Sequence, residues 1–116
     1  MATIVLGGKG EKYAVKLLEG RGYKIIETNF KRPWGEIDII AVKDDILVFV
    51  EVKTRKSTKF GLPEEAVTPR KIAKIKRVGA LYQNLHSELP KKARVDVVSI
   101  LLQGKIVVRK KIIQAD

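Results

Sequence analysis

Two apolar runs in this chain each carry a carboxylate where the pattern calls for an apolar side chain. The runs are Ile37-Asp-Ile-Ile-Ala-Val42 and Ile46-Leu-Val-Phe-Val-Glu-Val52. Both read as buried strands, being short, rich in Ile, Val and Phe, and bounded by polar segments. A carboxylate inside such a strand is costly unless a cation neutralises it. Lys53 follows Glu51 at a spacing of two. Residues two apart in a strand share a face, so Glu51 and Lys53 point one way while Val50 and Val52 point into the opposite layer. Glu36 and Asp38 share a face of the preceding strand by the same rule. Only residues 43–45, Lys-Asp-Asp, separate the two runs. They therefore pair as a hairpin, and Asp38 can lie close to Glu51 across the ladder.

Two such carboxylates offer hard oxygen ligands suited to Mg²⁺ or Mn²⁺, ions that keep waters and recruit phosphate oxygens. Asp38 and Glu51 are the candidate metal ligands, with the backbone carbonyl of Val52 as a further one. Lys53 is the candidate catalytic ammonium, placed to orient a water or stabilise charge on a reacting phosphate. Glu11 lies three and seven residues before Ala14 and Leu18 and shares their helical face. A first-turn glutamate also simply favours the helix dipole. In a rival account, Glu51 and Lys53 form a surface ion pair and Asp38 is an edge charge that discourages aggregation. Against it, these charges interrupt apolar runs instead of decorating polar ones.

The formal charge of +11 is unevenly spread over the 116 residues. Residues 1–53 hold nine Lys/Arg against eight Asp/Glu, and residues 54–116 hold fifteen against five. A one-sided positive field attracts phosphate backbones, so nucleic acid is the expected partner, against a merely solubilising surface. Candidate contacts are Lys31 and Arg32 in a turn over residues 31–35, and Arg55, Lys56 and Lys59 in a basic loop over residues 54–63. Arg70, Lys74 and Arg77 recur along one helix flank, which either follows a phosphate backbone or is a solvated face. Trp34 and Phe60 flank the proposed site; core or turn packing is the expectation for each, ahead of stacking on bases. Asp96 is expected to pair with a nearby cation, and His86 to be a surface residue.

There is no cysteine, which excludes thiolate chemistry and disulfides, and a single histidine, which excludes a multi-His metal site. Gly7-Gly-Lys-Gly10 lacks the spacing of a phosphate-binding loop. The opening apolar stretch is too short for a signal peptide, and no run approaches the ~20 apolar residues of a membrane helix. One soluble, cytoplasmic domain spanning 1–116 is expected, without membrane contact.

Gly7, Gly8 and Gly10 predict a flexible lead-in to a helix over residues 9–21, ended by Gly20 and Gly22. Strands are expected over residues 23–30, 36–42 and 46–53. Thr68 and Pro69 read as N-cap and first residue of a helix running to about Leu85. Ile72, Ile75, Val78, Gly79, Tyr82 and Leu85 give that helix its apolar stripe. Two more strands follow over residues 94–102 and 105–113. The order α-β-β-β-α-β-β implies an α/β or α+β layer fold, a mixed sheet flanked by helices.

Gly10-Glu11-x-x-Ala14, Gly22-Tyr23, Asn29, Gly35-Glu-Ile-Asp-Ile-Ile-Ala41, Val48-Phe-Val-Glu-Val-Lys-Thr-Arg55, Phe60-Gly-x-Pro63 and Arg94-x-Asp-Val-Val98 together resemble the YraN family of small bacterial endonuclease-like proteins. The match covers nearly the whole chain. That family belongs to the PD-(D/E)xK, restriction-endonuclease-like superfamily and is similar to Holliday-junction resolvases. The resemblance implies a three-layer restriction-endonuclease-like fold and metal-dependent hydrolysis of DNA, branched or structured DNA above all. It carries Asp38 and Glu51 onto the metal-binding pair, Lys53 onto the motif lysine and Glu11 onto the first-helix glutamate. Ile37 stands where the superfamily's proline would be, and Val95 where an aromatic is usual. Symmetric cutting of a junction would need a homodimer. Two rivals stay open: a nucleic-acid-binding protein that keeps the fold without turnover, and a basic scaffold that contacts RNA.

Overall fold

The computed structural model describes residues 10–115; the lead-in at Gly7 and Gly8 lies outside the described residues. Ala14 and Leu18, one helical turn apart, are the buried residues of α1 (Gly10–Gly20). Gly22, at φ +89°, reverses the chain. Its N–H donates to the Glu19 carbonyl (3.1 Å) and that of Tyr23 to the Leu18 carbonyl (3.0 Å). A left-handed glycine with these two bonds caps the helix.

Strands β1 (Lys24–Arg32), β2 (Gly35–Lys43) and β3 (Ile46–Arg55) follow as two antiparallel hairpins. Arg32 pairs with Gly35, so the first turn is only Pro33-Trp34. Lys31 and Arg32 are therefore strand residues, not members of the expected five-residue turn. Asp44 and Asp45, at φ 49° and 63°, supply the left-handed pair that a tight hairpin turn requires. Strand β3 runs two residues past its expected end, which makes Arg55 a strand residue and not a loop one. A 3-10 turn, Pro63–Ala66, interrupts the basic loop. Helix α2 (Pro69–Leu85) starts as expected, with Thr68 Oγ1 accepting the Lys71 N–H at 3.2 Å. Strands β4 (Ala93–Gln103) and β5 (Ile106–Gln114) complete the order expected from sequence.

The sheet order is β1-β2-β3-β4-β5, antiparallel throughout except for the parallel pair β3–β4, which α2 connects. The fold is α+β: one mixed five-stranded sheet with a helix on each face. On one face, Ala14 and Leu18 pack with Ile39, Ala41, Val48, Val50, Val98 and Ile100. On the other, Ile75, Val78 and Tyr82 of α2 pack with Phe30, Ile37, Ile40, Phe49 and Val95. Leu85 is a correction to the predicted stripe. It is exposed, since it ends the helix beyond Tyr82, the last buried side chain of that row. Asp96 is fully buried on the α1 side and finds the expected cation. Arg94 donates from Nε to Oδ1 (2.9 Å) and from Nη2 to Oδ2 (3.2 Å), and the Tyr23 hydroxyl adds a bond of 2.7 Å. Among the described residues no helix is long and apolar enough to cross a membrane.

Gly79 sets how closely α2 approaches the sheet. A Cβ there would stand 2.3 Å from Cε2 and 2.7 Å from two further ring atoms of the buried Phe49. Alanine would gain about 1 kcal/mol of helix propensity. Overpacking typically costs about 1–3 kcal/mol, and a ring enclosed on all sides places this site at the upper end. Gly79→Ala should therefore lower stability by about 1–2 kcal/mol in urea unfolding. An equal or raised midpoint would contradict this packing.

Candidate active site

Alternation along β2 breaks at Asp38. Ile39 and Ala41 pack on the α1 side and Ile40 on the α2 side, as a strand should, yet Ile37 also joins the α2 side. The β1–β2 ladder pairs Thr28 with Ile39 and Phe30 with Ile37 and skips the pair between them. The residue opposite Asp38 there is Asn29, held in the left-handed region at φ 56°, which asparagine tolerates better than most residues. On the other flank the β2–β3 ladder stops at Ile39↔Val50. The Asp38 carboxylate takes up the bond the backbone no longer makes: the Val52 N–H donates to Asp38 Oδ2 at 2.8 Å. Val52 thus enters the site through its amide, while its side chain packs on the α1 side.

Glu51 precedes Val52 and points to the α2 side, only 9% exposed. Its carboxyl is pushed up to about 7. Burial is the largest cause, and the charge of Asp38 and a side-chain hydrogen bond to it add to the rise; Lys71 and, more weakly, Lys53 pull the other way. The Asp38 and Glu51 carboxylates therefore interact, though not as the ladder partners the hairpin implied, since that ladder ends at Ile39 and Val50. The cation closest to Glu51 is not the one expected. Lys71 of α2 brings its Nζ to 3.7 Å from Oε2, with its side chain 42% exposed. That is a long, half-solvated contact of small intrinsic strength. Lys53 shares the strand face with Glu51 and lies in register with Ser99 of β4. Sequence reading passed over Lys71, although it stands in helical phase with Ile75, Val78 and Tyr82 and so faces the sheet.

Glu11 occupies the first turn of α1. The helix start is pressed on β3, since a Cβ on Gly10 would lie 2.6 Å from Thr54 Oγ1 and 3.7 Å from Val52 Cγ1. Among the described residues no third carboxylate or imidazole joins the Asp38–Glu51 pair. The predicted cations divide. Lys31, Arg32 and Lys74 line one groove with Lys71, between the Pro33-Trp34 turn and α2; Arg55, Lys56, Lys59, Arg70 and Arg77 do not line it. The Arg55 Nε is buried and finds no hydrogen-bond partner among the described residues. His86 stacks on Tyr82 with ring centres 4.2 Å apart. Core or turn packing fails for both flanking aromatics. Trp34 is 52% exposed and Phe60 79%; next to Trp34 it is Gly35, the first residue of β2, that meets α2.

The chain matches the model of an uncharacterised protein family, UPF0102, over residues 10–100. A UPF0102 protein of Syntrophomonas wolfei is 51% identical over 98 residues, covering 84% of this chain and 85% of that protein. One from Dictyoglomus thermophilum is 46% identical over 103 residues, 87% of each. One from Caldicellulosiruptor bescii is 50% identical over 101 residues, 86% of this chain and 85% of its own. Among solved structures, an EndoMS–dsDNA2 complex aligns with a TM-score of 0.47 at 19% identity over 90% of this chain, which spans 41% of the EndoMS chain.

The raised carboxyl of Glu51 makes stability depend on pH. Between the ordinary value of 4.5 and about 7 the folded chain holds a proton that the unfolded chain has lost. Stability therefore falls as pH rises through that window, by at most about 3 kcal/mol. In chelator, Tm should drop from about pH 5 to about pH 8, and Glu51→Gln should flatten that slope. An unchanged slope in the variant would show that Glu51 is not the group responsible.

Proposed function

The chain belongs to the UPF0102 family, the YraN family its sequence resembles, and we propose that it is a metal-dependent nuclease that hydrolyses phosphodiester bonds in DNA. The observation that carries this reading is the Asp38–Glu51 pair. Two carboxylates are held together at the point where β2 and β3 separate, and one of them is driven up to about 7. A carboxyl raised by burial and by a like-charged partner is the kind of group that acid–base and metal chemistry uses. Oxygen donors alone, with neither thiolate nor imidazole, fit a hard divalent ion such as Mg²⁺ or Mn²⁺, which needs only one or two carboxylates. Asp38 and Glu51 would hold it, with the Val52 carbonyl as a third donor. Such an ion, when bound, supplies an activated water and offsets the charge that grows on phosphorus.

The chain's own groups do the rest. The Val52 amide fixes one Asp38 oxygen, which fixes how that carboxylate is aimed. Lys53, on the face of Glu51, donates to a phosphate oxygen and stabilises its negative charge. The positive surface of residues 54–116 draws the DNA in and sets a strong salt dependence. Structured or branched DNA is the proposed substrate class, RNA a weaker candidate, and paired cutting of a junction would use a homodimer. The proposed setting is the cytoplasm.

The Lys71–Glu51 contact favours a second reading, a DNA-binding protein whose carboxylate is already neutralised from within. Two readouts separate them. With Mg²⁺ or Mn²⁺, the protein should cut synthetic junctions, flaps or single strands, and Glu51→Ala or Lys53→Ala should lower the rate at least about a hundredfold with the fold intact. Independently, Mg²⁺ should raise the Tm of the native chain at alkaline pH and leave that of Asp38→Asn unmoved. Tight DNA binding with no cutting and no Mg²⁺ stabilisation would leave only the second reading.

A further inference from the structure

The groove beside the carboxylates has chemistry that a duplex backbone alone does not use. It encloses ≈ 480 Å³, within the roughly 300–1,000 Å³ range of small-ligand sites. Lys31, Arg32, Lys71 and Lys74 line it against one carboxylate, Glu36, and Trp34 forms part of its wall. Arg32 is held back, its guanidinium 4.2 Å over the Phe30 ring and its Nη1 donating to the Lys31 carbonyl at 2.7 Å. The turn is held firmly too: a Cβ on Gly35 would stand 2.9 Å from Val78 Cγ2 of α2. Trp34 thus presents a half-exposed aromatic face beside a strand end packed on α2. Lys71 belongs to this wall and also reaches Glu51 at 3.7 Å, so one side chain is shared by the groove and the carboxylate site.

We infer that this groove binds one unpaired nucleotide of a DNA strand next to the scissile phosphate, its base stacked on Trp34 and its phosphates on Lys31 and Lys74. Cations alone would serve any phosphate backbone. Bases inside a duplex have both faces covered by the stack, so an unpaired base can lie flat on Trp34 where an internal pair cannot. The pocket therefore selects strands with a single-stranded segment, a flap or a displaced base over blunt duplex. This deepens the nuclease reading and rests on it.

Trp34 is the chain's single tryptophan, so its emission reports on this groove alone. In chelator, where no cutting occurs, a thymine oligonucleotide should quench that emission and a blunt duplex of equal phosphate content should not. By anisotropy, Trp34→Ala should bind the thymine strand roughly tenfold or more weakly and lose its preference over duplex, and Trp34→Phe should recover most of it. Equal quenching by both, or Trp34→Ala binding the thymine strand like the native chain, would overturn the inference. Quenching by a uridine RNA but not by the thymine strand would overturn its assignment to DNA. Quenching without metal-dependent cutting would sink the nuclease reading and keep the groove. Cutting without quenching would do the reverse.

Discussion

The bond between the Val52 amide and Asp38 stands where the β2–β3 ladder would otherwise continue. Once β2 kinks at Asp38, with Asn29 left-handed across from it, the backbone of β3 loses its β2 partner beyond Val50 while keeping β4. A buried amide left without an acceptor is expensive. The side chain of Asp38 fills that role and is drawn to the mouth of the gap by doing so. Glu51, the neighbouring residue, is then both buried and beside a like charge. The separation of two strands, the satisfaction of a backbone donor and the raised carboxyl of Glu51 are consequences of one local event.

Three carboxylates with little solvent contact show how different the treatment of this one is. Asp96 is closed by a two-pronged arginine and a tyrosine hydroxyl. Glu64 accepts two bonds from Arg109 and one from Ser99 (2.6 Å), and the Arg109 bonds hold its carboxyl down near 2. Both carboxylates stitch distant elements together, Glu64 tying the 3-10 turn to β4 and β5. Glu51 has a loose lysine and an aspartate. The chain has arginines and uses them where charge must be cancelled permanently. At Glu51 it leaves a shortfall of positive charge, which a mobile cation can make good.

Helix α2 joins this site to the groove. Gly79 against Phe49 and Gly35 against Val78 bring the helix close to β3 and to the first hairpin at once. Lys71, at its start, then belongs to both places. Small residues at two contacts therefore control where a charge lies two turns away.

Much of this was legible in the residues. Apolar alternation marked β2 and β3, the Asp-Asp turn implied their pairing, and the spacing of two put Glu51 and Lys53 on one face. Thr68-Pro69 announced α2, and a cation partner for Asp96 was expected, though neither its identity as Arg94 nor the burial of the pair was. All of these depend on periodicity and on bonds between residues close in the chain, which a linear pattern encodes directly. The kink at Asp38, the arrival of Lys71 in place of Lys53 as the nearest cation, and the exposure of Trp34 were not legible in that way. Nor was the separation of the basic residues into those that line the groove and those that do not. Each depends on how far apart two packed elements stand. That distance is set by side-chain volume at contacts between remote residues, such as Gly79 on Phe49, and no periodicity along the chain carries it.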